Sequence, residues 1–294
     1  MNLALLYGLA SPSKGVLIDD FRAALPAAYS YSRTGNSTAL STTGAISTFA
    51  ADVAPITNRG MLVEATGQNL FTRWAPTVAQ LSVQANASDV SAPANAPILG
   101  LNWLNIDNTS ALAAGYAACS SIPASTAIVI SMLVETPDGS QPVFGLGSVG
   151  TNDFSINMVS GNAVVSPTAS YERLTGNVWR VVVACTSPAA GASTFAGPIR
   201  PTTMNKRALK FSGFDIKLGT TAQSPIPTTG AAATRGLPTI TRAVPAGRTI
   251  ARATYGTANT VTDITGLTPG ASFDLVTGRP WTGLGNELKS IEWR

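Results

Sequence analysis

AIVISMLVETPDG, residues 127–139, is the stretch that decides the fold class. In Ala127–Thr136 β-branched residues dominate, which is a strand signal. Pro137-Asp138-Gly139 then supplies a turn, because Pro presets φ and Gly permits a positive φ. Outward from it, the same signals repeat. In DFSINMV (153–159), Phe154, Ile156 and Met158 alternate with Ser155 and Asn157, the period of a half-buried strand. Ser160-Gly161-Asn162 reads as a hairpin connection into Ala163–Ser166. A second turn at Thr175-Gly176-Asn177 leads into VWRVVVACT (178–186), where Trp179, Val181 and Val183 share one face as expected core. In ALKFSGFDIKLGT (208–220), Phe214, Ile216 and Leu218 lie on one face and Asp215 and Lys217 on the other.

Strands at roughly ten-residue spacing, separated by turns, are the pattern of a β-sandwich. The expected fold is therefore all-β: a jelly-roll β-sandwich over 74–225. An extended N-terminal attachment arm and entry strand occupy 1–73, a Pro/Gly-rich linker 226–247, and a small C-terminal β region 248–294. That last region is thin for a core of its own, so it is expected to pack on the sandwich or on another copy. Helical periodicity is confined to two short candidates, Leu17–Leu25 and Ser110–Ala118. Met1–Ala10 is apolar, lacks the positive segment of a signal peptide, and is too short to span a bilayer.

Charged residues make up 12% of the 294-residue chain, the net charge is +4, and there is no histidine. Disorder of the polyelectrolyte kind is excluded by the low charge. The arginines are scattered, with mild clustering at Arg235, Arg242, Arg248 and Arg252, unlike the stripe of a nucleic-acid binder. Without histidine the commonest general base and metal ligand are both missing. Cys119 and Cys185 sit in apolar contexts without metal spacing and read as buried free thiols. No cofactor and no metal is expected; NIDNTS (105–110) lacks the spacing of a calcium loop. Asp19-Asp20 are the only adjacent acids, and helix capping accounts for them.

Three runs, taken in order, resemble a family of bacteriophage and prophage virion proteins. The first is Arg33…Gly44…Pro55…Gly60-Met61-Leu62-Val63-Glu64…Asn69-Leu70; the second is NVWRVVVACT (177–186); the third is FDIKLGTTAQSPIPTTGAAATR (214–235). Pro225 stands where the family has Tyr. The resemblance implies a carbohydrate-binding-module-like jelly roll in a tail-fibre, tailspike, tail-tip or head-fibre protein of the virion, assembled in the bacterial host cytoplasm. It implies attachment to other virion proteins through the N-terminal arm, a homo-oligomer (a trimer as first expectation), recognition of host-surface glycan, and no membrane insertion. Two alternatives stand beside it: an architectural decoration or adapter protein that binds only virion proteins, and a glycan-degrading spike. Against the spike, the acids are spread thinly and no long β-helical repeat is present. The candidate glycan contacts are Trp103, Asn105 and Asp107 in GLNWLNIDN and Trp281 in GRPWTGLGN, each an aromatic platform beside polar side chains or one of those side chains.

Overall fold

The computed structural model describes residues 16–43, 45–80, 82–85, 90–98, 100–106, 114–116, 122–145, 152–158, 165–189, 195–199, 207–283 and 285–294. Among these the fold is all-β, with several antiparallel sheets and no closed barrel. The expected 160–162 connection lies outside the described residues.

The central region is built on a six-stranded sheet whose order is Val165–Thr175, Val178–Thr186, Ala127–Glu135, Leu209–Leu218, Leu104–Ile106 and Val90–Ser91. A four-stranded sheet accompanies it, in the order Ser155–Met158, Phe195–Ile199, Ala114–Tyr116 and Ser82–Ala85. On Ala127–Glu135 the period of two sends Ile128, Ile130, Met132 and Val134 into the core, where they meet Val181, Val183 and Phe154. Trp179 shares their parity but is only half-buried, with the Arg173 guanidinium 5.7 Å from its ring. Gly176, in the expected turn, has φ +49°, and the flanking strands pair from Val165↔Thr186 to Thr175↔Val178.

One bulge sets the phase of the last sandwich strand. The register slips between Ser131↔Asp215 and Leu133↔Ser212. Gly213 takes φ +62° there, and a Cβ on it would lie 2.9 Å from Leu133 Cγ. The slip lets Leu209 and Phe211 join Phe214 and Ile216 in one core although their numbers differ in parity. Leu218, expected on that face, is 49% exposed.

The two chain ends build a second body together. Leu288–Trp293 lies between Ala251–Tyr255 on one edge and Leu17–Asp20 on the other, with Gly60–Met61 joining through Leu288↔Met61. Ser30–Ser32 pairs with Thr239–Ala243, which also pairs with Ser272–Asp274. The core of this body takes Phe21, Tyr29, Met61 and Val63 from one end and Tyr255, Phe273, Trp281, Ile291 and Trp293 from the other.

Four expectations are corrected here. Residues 16–73 are not an extended arm: from Leu17 on the described strands lie in sheets, and Phe21, Tyr29, Met61 and Val63 complete the core that 248–294 lacks, while Leu70 and Phe71 join the sandwich core. Leu17–Leu25 is a strand followed by turns rather than a helix, held by the ladder to Trp293. Of the Ser110–Ala118 candidate, the described Ala114–Tyr116 is strand and the rest lies outside the described residues. Residues 226–247 are not a free linker, since Ile226 and Ile240 are fully buried and Ala233–Arg235 pairs with Gly67–Asn69. Proline and glycine there mark short edge pieces.

Candidate functional site

Two polar assemblies lie where the bodies meet. The first is a buried clasp. Met61 and Val63 face the end body's core, so alternation turns Glu64 the other way, where it is 3% exposed. Its carboxylate accepts the Ser224 N–H at 2.5 Å and the Ser224 hydroxyl, and pairs with Arg235 Nη1 at 2.7 Å. Arg235 donates onward to Ser224 Oγ at 2.7 Å and Gln223 Oε1 at 2.9 Å. From the sandwich sheet, Arg180 donates to the Gln223 carbonyl at 2.6 Å and Lys217 to the Ser224 carbonyl at 3.0 Å, while Lys217 also pairs with Asp215. Thr38 Oγ1 donates to the Pro225 carbonyl at 2.7 Å.

Asn69 holds the next step of the same segment. Its amide donates to the carbonyls of Ile226 and Phe214, and its oxygen accepts the N–H groups of Phe71 and Ile216. Every hydrogen-bonding position of that side chain is thus used. The motif residues Glu64, Ser224 and Arg235, far apart in sequence, meet in one buried network, and Asn69 fastens the same 223–226 segment two residues further on. Burial pulls the Lys217 ammonium well below the usual lysine range, Arg235 adding to the effect. The adjoining void is about 30 Å³, room for about one water molecule, so the clasp ties segments of the chain together and offers no substrate space.

The second assembly is an open cleft of about 440 Å³ at the seam, lined from three parts of the chain. The N-terminal part contributes Arg22, Ser41, Asn58 and Arg59, the sandwich contributes Glu172 and Arg173, and the end body contributes Asn259, Glu287 and Lys289. Asn58-Arg59-Gly60 is a turn, with φ +126° at Gly60, where a Cβ would sit 2.4 Å from the Leu288 carbonyl oxygen. That close approach brings Arg59 between two carboxylates: Nε lies 3.6 Å from Glu287 and Nη1 3.5 Å from Glu172. Lys289 donates to the Asn259 amide oxygen at 2.6 Å. Sequence reading missed this cleft because its walls come from three segments, 22–59, 172–174 and 256–289, that are distant in the chain.

The sequence-derived candidates do not assemble. Trp103 is 4% exposed and donates its indole N–H to the Ile98 carbonyl at 3.2 Å. Trp281 is fully buried and donates to the Leu275 carbonyl at 2.9 Å. Neither ring is a surface platform, because each fills a core and satisfies its N–H internally. Asn105 is half-buried with its amide 3.4 Å from Ser91 Oγ, and Asp107 lies outside the described residues. Asp19 is not a helix cap: it is a buried acceptor for Tyr29 Oη, Trp293 Nε1 and Arg242. Asp20 instead pairs with Arg22 at the surface. Cys185 is buried and unpaired, its thiol pushed up to about 12 by burial; Cys119 lies outside the described residues.

Compared with known proteins, the sequence matches no family model and no curated relative.

Proposed function

We propose that this chain is a structural, non-enzymatic component of a bacteriophage particle: a tail-fibre, spike, tail-tip or head-fibre subunit with a jelly-roll sandwich that meets host-surface glycan. One observation carries the reading. The runs that resemble phage virion proteins supply Glu64, Ser224 and Arg235, which interlock in one clasp, and Asn69, which holds Ile226 of the same segment. The likeness therefore falls on residues that work together rather than on unrelated matches of composition. Three buried acids serve the fold as ion-pair partners, Asp19 with Arg242, Glu64 with Arg235 and Asp215 with Lys217. Assembly into a homo-oligomer, a trimer by first expectation, and contact with other virion proteins belong to the same proposal.

The test is to probe purified phage particles from the host that encodes this chain, by mass spectrometry and by gold-labelled antibody against it. Labelling at a tail tip or head fibre, with blocked adsorption by the purified chain, supports the reading; absence from the particles overturns it. The architectural alternative, binding to virion proteins alone, is favoured by the burial of Trp103 and Trp281. In that case the chain is in the particle and the purified chain leaves adsorption unchanged.

A further inference from the structure

We propose that the seam cleft binds a carboxylate-bearing saccharide, with Arg59 and Lys289 as its anion contacts. This rests on the host-recognition reading above and names the ligand class.

The first support is charge. Four cationic side chains line the cleft against two carboxylates, Glu172 and Glu287. Arg22 is matched by Asp20, whereas among the described residues Lys289 donates to the neutral Asn259 amide alone. The second is geometry. Contacts of 3.5 and 3.6 Å leave Arg59 loosely paired, well beyond the about 2.7–2.9 Å of a strong charge-assisted bond. Its side chain is 13% exposed, and the part of its fork that faces the cleft is the part an incoming carboxylate would meet.

The third is the rim. Ser41, Thr42, Asn58 and Asn259 bring hydroxyl and amide groups to the opening, the complement of a sugar's hydroxyls, and Leu40 and Leu174 provide an apolar wall. At about 440 Å³ the cleft falls within the size range of small-molecule sites. Its walls exist together only when the two bodies are docked, so the clasp that docks them is also what forms the site.

The experiment is calorimetric titration of the full chain with an oligogalacturonate, with maltotriose as the neutral sugar and inorganic phosphate as the plain anion. The oligogalacturonate is expected to bind at least about ten-fold more tightly than either control and to weaken as salt is raised. Lys289→Gln, at a partly exposed position outside both cores, is expected to weaken binding several-fold with an unchanged circular dichroism spectrum. Arg59→Lys tests the fork in the same way and keeps the charge beside Glu287. Equal binding of maltotriose, equal binding of phosphate, no binding at all, or an unaffected Lys289→Gln protein would each overturn the proposal. The virion reading is judged separately by the particle experiments, so either can fail without the other.

Discussion

The indole N–H of Trp293 donates to the carboxylate of Asp19 at 2.6 Å, in a site where Asp19 also accepts from Tyr29 Oη at 2.8 Å and pairs with Arg242. This bond ties the first described strand to the last. The Arg242 guanidinium lies 4.8 Å from the Trp293 ring and 5.1 Å from the Tyr29 ring, so one cation is held by an anion and two aromatic faces.

Asp19→Ala should therefore destabilise the protein by about 3–5 kcal/mol, because it strands a buried arginine and an indole N–H without an acceptor. Urea unfolding measures it. A change below about 1 kcal/mol would mean that water replaces the carboxylate freely.

Removing all residues before Gly35 should abolish cooperative unfolding of the end body. The truncation deletes the strands Leu17–Asp20 and Ser30–Ser32 together with Phe21 and Tyr29 of the core. Amide dispersion in a heteronuclear spectrum reports the result. A truncated chain that keeps the Trp281 and Trp293 indole signals in place would count against the shared core.

Glu64→Ala should cost about as much as Asp19→Ala, roughly 3–5 kcal/mol, since Arg235 is left 1% exposed with its main counter-charge gone. Glu64→Gln, which keeps an acceptor for Ser224, should fall between wild type and Glu64→Ala in thermal melts. If all three melt together, the clasp contributes nothing to stability.

Trp179, expected as core, and Trp281, expected as a surface platform, should differ in their effect in the opposite sense. Trp281→Ala removes a fully buried ring and should cost about 3–5 kcal/mol. Trp179→Ala removes a half-buried ring beside Arg173 and should cost about 1–3 kcal/mol, by scaling with the buried share. Denaturant midpoints decide the order, and a reversed order would refute the assignment of faces.

In a Cys119→Ser background, the Cys185 thiol should resist a thiol-reactive dye at pH 8 and react fully in denaturant. Burial raises its pKa to about 12, so deprotonation is disfavoured in the folded state and thiolate appears only as pH approaches that value. Rapid native labelling at pH 8 would show that the strand Val178–Thr186 opens locally.

Much of the sandwich was legible locally. The alternation in 127–135 and 178–186 and the Gly-bearing turns follow from steric rules that act within a few residues, and the sheets formed where those rules put strands. Gly60–Glu64 was legible in the same way: Met61 and Val63 share one face, as alternation requires. What alternation could not say is what lies against the opposite face. Asp215 and Lys217 looked like a solvated side of a strand, yet they are 2% and 4% exposed, covered by a segment that starts after Leu218.

The sequence by itself determined the strands of 127–135 and 178–186, the core-facing parity of 127–135 and of Gly60–Glu64, and the Gly-bearing turns, because these depend on backbone sterics and short-range patterning; the bulge at Gly213 and the exposure of Leu218 were set by packing. Only the tertiary structure decided that Phe21, Tyr29, Met61 and Val63 complete the end body, that the tryptophans at 103 and 281 are buried, and that Arg59, Glu172, Glu287 and Lys289 surround one cleft. The reason is physical: hydrophobic burial is non-directional. An apolar or polar run states that it needs a partner, and only the packed chain selects which distant segment supplies it.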